Sequence, residues 1–177
     1  MKKSRKQSSK SEVISAGSER ELYDGSVTFP FGVVGIRTYG PNLVGLDFLP
    51  PNTPETLPRS ATGKQVWEAL FNYQEDPSTP IDVVLASEGT DYQKKVWNAL
   101  RRIPLGQVWT YGQLAESIDS GARAAANACR RNRIPILIPC HRIVAKTGLG
   151  GYCGHSSGPM LEVKRWLLAH EGVEQFP

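Results

Sequence analysis

Three β-rich runs, Ser26 to Phe29, Phe31 to Arg37 and Leu43 to Phe48, are separated by Pro30 and by Tyr39-Gly40-Pro41-Asn42, which are strand and turn signals. They predict a small antiparallel meander. A Pro-rich loop from Leu49 to Pro58 leads into Thr62 to Gln74, where Val66, Leu70 and Phe71 fall on one helical face. Ile81 to Leu85 reads as a further short strand. The predicted unit is an α/β N-terminal domain with a small antiparallel sheet over residues 21–87.

Ser87-Glu88-Gly89-Thr90 reads as the boundary to a second domain, residues 88–177. Thr90 can cap a helix whose apolar positions Val96, Trp97 and Leu100 keep a 3.6 period, and Ile103-Pro104-Leu105-Gly106 stops it. A second helix, Thr110 to about Ile118, and a third, Ala122 to Arg131, are joined by Asp119-Ser120-Gly121. Two short helices joined by a turn containing Gly are a helix-turn-helix signature. The third carries Arg123, Arg130 and Arg131 beside the small residues Ala124, Ala125, Ala126 and Ala128. That pattern fits close approach to a groove and an alanine-rich core face equally well. A strand-like run, Ile134 to Ile138, precedes Pro139-Cys140-His141-Arg142 and a Gly-rich loop from Thr147 to Gly158. A last helix, about Leu161 to His170, ends at Gly172. The expected C-terminal domain is mainly α and winged-helix-like, built on the helix-turn-helix.

Composition narrows the class. With 40% hydrophobic and 21% charged residues in 177, the chain has the balance of a globular protein with a real core. No apolar run approaches the ~20 residues of a membrane span, and no apolar h-region follows the basic N-terminus. A cytoplasmic location, or a nuclear one in a eukaryote, is expected, with no membrane association. Cys129, Cys140 and Cys153 are an odd number without metal-ligand spacing, which argues against a disulfide framework and a zinc module.

Charge is strongly segregated: +4 over residues 1–20, −6 over 21–90, +8 over 91–165 and −2 over the remainder. Residues 1–20, rich in Lys, Arg and Ser, read as a disordered basic tail. A basic half beside an acidic one is the footprint of a nucleic-acid-binding domain with a non-binding companion.

Cys140-His141 places a potential nucleophile beside a potential base. Neighbours on an extended strand point to opposite faces, so their cooperation requires a turn or an intervening water. A carboxylate behind the imidazole would fix its tautomer and hold the developing imidazolium, and Glu171 is the best candidate. Taken bare, the dipeptide is a weak signal, since buried cysteines are mostly inert packing residues.

Ile138-Pro139-Cys140-His141-Arg142-Ile143-Val144 resembles the acceptor motif of the O6-alkylguanine-DNA alkyltransferases, or methylated-DNA-protein-cysteine methyltransferases. Asp91-Tyr92-Gln93 with Val96-Trp97, Thr110-Tyr111 with Leu114-Ala115, Asn132 eight residues before Cys140, and Trp166-Leu167-Leu168-Ala169-His170-Glu171-Gly172 resemble the same family. The resemblance covers residues 88–177; residues 21–87 agree in architecture only.

It implies a single-turnover repair protein that flips O6-alkylguanine, chiefly O6-methylguanine, from duplex DNA and moves the alkyl group irreversibly to Cys140. His141 and Glu171 would activate the thiol, Asn132 brace its turn, and Tyr111 protonate the departing guanine. Arg123 would fill the vacated stack, with Ala124, Arg130 and Tyr111 also against DNA. Pro135, Tyr152 and Cys153 would lie in the substrate pocket. The implied partner is double-stranded DNA, for a monomer. No cofactor or metal is expected; the zinc that some relatives bind in the N-terminal domain is not, since residues 1–128 contain neither Cys nor His.

The chain departs from the family pattern at Arg133 (usually Pro), Ala126 (usually Gly) and Cys153 (usually Ser or Gly). His155-Ser156-Ser157-Gly158-Pro159 lengthens the loop after Tyr152, leaving pocket contacts there unassigned and His155 as an exposed loop residue. The alternative is a non-catalytic protein that binds alkyl lesions, but such relatives carry Trp where Cys140 stands. A Cys-His hydrolase lacks an evident oxyanion motif, and a transcription factor leaves the acceptor motif unexplained.

Overall fold

The computed structural model describes residues 22–85 and 88–175; the expected basic tail and Ser87 of the expected boundary lie outside them. The meander forms as three antiparallel strands in sequence order, β1 (Gly25–Phe29), β2 (Gly32–Tyr39) and β3 (Asn42–Leu49). Val27 pairs with Val34 and Val34 with Phe48, which buries Val27, Val34, Ile36, Leu43 and Leu46.

Helix α1 (Ala61–Glu75) packs against this sheet. Its N-cap Ser60 accepts from Gly63 N at 2.9 Å, and Asp24, just before β1, accepts from the Arg59 and Ser60 amides at 3.0 and 3.1 Å. Trp67 Nε1 donates to Ser26 O at 3.1 Å and ties the helix to β1. The predicted face needs one correction. Val66 and Leu70 are buried, but Phe71 is 42% exposed and stacks on Trp67, while Tyr73, two turns beyond Val66, is the buried aromatic.

The expected strand at Ile81–Leu85 does not form: no element of either sheet pairs with it. Val83 is buried and Ile81 and Leu85 pack on the core, while Val84 is 83% exposed. The apolar residues that suggested a strand anchor this segment to the core without sheet pairing.

Helices α2 (Asp91–Leu100), α3 (Tyr111–Ser117) and α4 (Ala122–Arg130) follow the predicted pattern. Thr90 with Gln93, and Thr110 with Gln113, form reciprocal capping boxes. Trp97 Nε1 donates to Ala128 O at 3.0 Å, locking α2 to α4. A parallel pair missed in the sequence joins β4 (Trp109–Thr110) to β5 (Ile143–Val144). With two residues per strand, it leaves no periodic signal.

The last helix, α5 (Pro159–His170), begins at its Pro, two residues before the predicted start, as suits a residue that lacks an N–H. It ends in a Schellman stop: Gly172, at φ 80°, gives its N–H to Ala169 O at 3.0 Å, and Val173 N reaches Leu168 O at 2.9 Å. That stop fixes Glu171 at the C-cap. Phe29 and Phe31 meet Trp166 of α5 edge-on, with ring centroids 6.0 and 5.1 Å apart, and a single core cluster contains residues from both halves of the chain. Among the described residues no helix is long and apolar enough to cross a membrane.

Candidate active site

The run Ile134–Ile138, expected as a strand, is a folded turn. Ile136 adopts φ 72°, Leu137 N donates to Pro135 O at 2.9 Å and Ile138 N to Ile134 O at 2.9 Å. Its apolar content reflects burial within a turn, which a continuous hydrophobic run does not distinguish from a buried strand. Asn132 braces it from inside: Oδ1 accepts from Ile134 N at 3.0 Å, and Nδ2 donates to Ile138 O at 2.8 Å and to Cys140 Sγ at 3.1 Å.

The next three residues, Cys140–Arg142, form a 3-10 turn, the bend that cooperation of Cys140 and His141 requires. His141 is fully buried, with Nε2 2.8 Å from Glu171 Oε1. Burial pushes the Glu171 carboxyl up, but hydrogen bonds from His141 and Arg142 and the Arg142 charge outweigh it and hold the group at about 2. Glu171 therefore has no proton to share at neutral pH, so Nε2–H donates to it. His141 Nδ1 carries the free lone pair and has no hydrogen-bond partner among the described residues. Burial lowers the His141 pKa, which keeps the ring neutral.

Two further groups hold Glu171. Arg142 donates from Nε to Oε2 at 2.7 Å and from Nη2 to Oε1 at 3.0 Å, with Nη1 on Ile103 O at 2.6 Å. Tyr73 OH donates to Oε1 at 2.8 Å. The sequence reading missed both roles. Arg142 was visible only as a neighbour of Cys140, and Tyr73 lay inside the predicted helix without being singled out.

Lys164 was also missed. It is fully buried on the core face of α5, with Nζ donating to Ile143 O, Leu149 O and Gly151 O at 2.6, 2.6 and 2.9 Å. Burial lowers its pKa to about 8, which leaves it mostly charged at neutral pH. The available signal was a lysine between the buried positions Val163 and Leu167.

The three thiols are not equivalent. Cys140 is lowered, first by a hydrogen bond from Cys153 and then, against burial, by Asn132 and the Lys164 charge. Cys129 is pushed up to about 12 by burial, and Cys153 is raised by its hydrogen bond to Cys140 and by burial. Cys140 is thus the sulfur whose anion the surroundings favour.

Cys140 lines a cleft of about 300 Å³ together with Tyr111, Cys129, Arg130, Tyr152 and Cys153. Tyr111, the first residue of α3, is pushed up to about 12 by burial and so stays protonated. Cys153 (φ 47°) and Gly154 (φ 85°) are the two central residues of a tight hairpin closed by Tyr152 N to His155 O at 2.9 Å and His155 N to Tyr152 O at 2.8 Å. Positive φ at both positions is the type I′ pattern that favours Gly at the second. The hairpin brings Gly154, His155 and Ser156 to the cleft lining, which the sequence left unassigned; His155 itself is exposed. Pro135, expected in the pocket, is buried in the turn below and is not among the lining residues.

On α4, Arg123, Ala124 and Arg130 are exposed. Ala125 and Ala128 instead belong to the core, so the expected small-residue face narrows to Ala124 and the half-buried Ala126. Among the described residues no group of three His, Cys, Asp or Glu side chains is placed to hold a metal ion.

Residues 91–173 match the family described as 6-O-methylguanine DNA methyltransferase, DNA binding domain. The methylated-DNA--protein-cysteine methyltransferase of Metallosphaera sedula is 34% identical over 149 residues, 84% of this chain and 92% of that protein. The protein of that name from Methanosarcina acetivorans is 46% identical over 93 residues, 51% of this chain, and the match spans only 57% of that relative's length. Among solved structures, Mycobacterium tuberculosis O6-methylguanine methyltransferase superposes with TM-score 0.69 at 33% identity, covering 82% of this chain and 90% of that one. A structure of Mycobacterium tuberculosis OGT in complex with DNA gives TM-score 0.69 at 32% identity, covering 83% and 91%.

Proposed function

Because this chain belongs to the methylated-DNA--protein-cysteine methyltransferase family, we propose that it repairs O6-alkylguanine, chiefly O6-methylguanine, in double-stranded DNA by moving the alkyl group to its own Cys140. The observation that carries this reading is the environment of Cys140. It is the one of the three thiols whose pKa is lowered, on a braced turn, at a cleft, next to a histidine held by a buried carboxylate.

In this reading His141 Nδ1 takes the Cys140 proton through a water, and Glu171 stabilises the imidazolium that forms. The thiolate attacks the alkyl carbon; the C–S bond forms as the C–O6 bond breaks, and the electron pair leaves on guanine. Tyr111 gives its proton to the departing base, which is consistent with its high pKa. Asn132 holds Cys140 in line. A thioether has no leaving group under these conditions, so each chain acts once, without a cofactor.

The C-terminal part would act as a winged-helix-like domain, residues 88–177, with the 21–87 domain as its companion. Exposed Arg123 and Ala124 on α4, with Arg130 and Tyr111 at the cleft, would meet the DNA, and Arg123 would occupy the gap left when the target base is extruded into the cleft. The protein would work as a monomer.

A direct test is stoichiometry. With excess duplex containing labelled O6-methylguanine, transfer should stop at one methyl group per chain and leave guanine in the DNA. Continued turnover, or no transfer by a folded protein that binds the duplex, refutes the proposal. Arg123 has a separate test. Arg123→Ala should slow repair of duplex DNA at least ~10-fold, the loss of roughly 1.4 kcal/mol of help with extrusion, while reaction with free O6-benzylguanine is unchanged. Equal slowing on both would place Arg123 in pocket support.

A further inference from the structure

Three donors crowd one oxygen. Glu171 Oε1 lies 2.8 Å from His141 Nε2, 2.8 Å from Tyr73 OH and 3.0 Å from Arg142 Nη2. Two of these donors come from the turn that bears the nucleophile. The third comes from α1, in the N-terminal half, 98 residues away in the chain.

Tyr73 does not reach this oxygen by accident of packing. Its own backbone carbonyl, at the end of α1, receives a hydrogen bond from His170 Nε2 at 2.8 Å, and its ring meets the His170 ring edge-on at 5.4 Å. The His170 ring in turn stacks on Trp166 at 4.6 Å. The last turn of α1 is therefore pinned to the last turn of α5 at the residue next to Glu171, and the hydroxyl is delivered to Oε1 with the side chain 1% exposed.

A carboxylate that already accepts from a neutral hydroxyl spreads its charge over that bond and attracts a neighbouring imidazolium less. We propose that Tyr73 is a positioning residue for the alkyl transfer: its hydroxyl fixes Glu171 Oε1 toward His141 and withholds enough of the carboxylate's charge to keep His141 in its neutral, base form. This rests on the reading of His141 as the base for Cys140. It makes the N-terminal half a contributor to the site.

The charged and titratable groups around this pair are few. Glu171 is met by His141 and Arg142 from the 3-10 turn and by Tyr73 from α1. His141 also feels the positive charges of Arg142 and of Lys164 on α5, both of which favour the neutral ring. Tyr73 pulls in the same direction as those two charges. It is itself raised by burial and by the Glu171 charge, so it remains a donor throughout the working pH range.

The test is Tyr73→Phe in the full chain, which removes one oxygen and keeps the ring and the backbone carbonyl. In protein with labelled histidine, the three imidazoles, His141, His155 and His170, are followed by NMR against pH and assigned through His155→Gln and His170→Gln. The His141 titration should move to higher pH by about one unit, a tenfold gain in proton affinity. His170, whose partner is the retained carbonyl, should not move. A His141 curve that stays put or moves down, or one that shifts together with His170, overturns the proposal. Methyl transfer from O6-methylguanine duplex, measured in the same two proteins, should show its acid limb displaced by the same amount. If the wild-type protein transfers nothing, the functional reading fails, and the His141 titration still decides the role of Tyr73.

Discussion

Glu171→Ala should lower stability by about 3–5 kcal/mol, the usual cost of removing one partner from a buried ion pair. The cause is what remains. Arg142, 13% exposed at its side chain, would lose both bonds to a carboxylate, and the buried His141 and Tyr73 donors would lose their acceptor. Chemical denaturation of wild-type and variant protein reads this directly, and a cost below about 1 kcal/mol, the range of exposed pairs, would contradict it.

The same network sets acid stability. Glu171 has a folded pKa of about 2 against an ordinary 4.5, so its contribution is complete above pH 4.5 and is lost as pH falls toward 2. The shift corresponds to roughly 3 kcal/mol. His141 adds to the loss with the same sign, because the unfolded chain takes up a proton near 6.5 while the folded one resists it.

Glu171→Gln separates chemistry from folding, since it keeps the shape of the side chain. It should raise the pH at which Cys140 ionises, measured by alkylation rate in a Cys129→Ser/Cys153→Ser background, and slow transfer about 100-fold, the lower end of general-base contributions. His141→Gln should do the same, and the double variant should resemble His141→Gln, because the two residues act as one unit.

Lys164→Met carries the second large effect. It fills the same space but leaves the carbonyls of Ile143, Leu149 and Gly151 without their buried donor, each at about 1–3 kcal/mol if water does not replace it. Leu149 and Gly151 lie on the loop that leads into the Tyr152–His155 hairpin, so the cleft wall should loosen with the fold. Loss of the cation should also raise the Cys140 pKa, which Lys164 helps to lower. The pH dependence from Lys164 itself runs in the same direction as that of Glu171 but in an alkaline window. Its folded pKa of about 8 lies below the ordinary 10.5, so stability from this group rises as pH goes from 8 to 10.5, and that rise should vanish in the variant.

Periodic elements were legible in the sequence. The meander, the capped helices starting after Thr90 and Thr110, and the Gly172 stop each carry a local signal that the tertiary structure has no reason to override. Reading failed where burial and periodicity come apart. Ile134–Ile138 is apolar because it is interior, and its turn is dictated by the Asn132 side chain, which no hydrophobic pattern encodes. Ala125 and Ala128 pack inward because a helix as short as α4 needs its small face for the core. Cys140, His141 and Glu171 could be named from chain chemistry, but Tyr73, Arg142 and Lys164 reach the site through contacts 98, 29 and 13 to 21 residues apart in the chain, invisible to local patterns.

The central claim is that Cys140 is the alkyl acceptor, and peptide mapping by mass spectrometry after incubation with O6-methylguanine duplex tests it most directly. One added methyl should appear on the Cys140 peptide, with Cys129 and Cys153 unmodified, and Cys140→Ala should still bind DNA while accepting nothing. A methyl group on Cys129 or Cys153, or transfer that survives Cys140→Ala, would contradict the account.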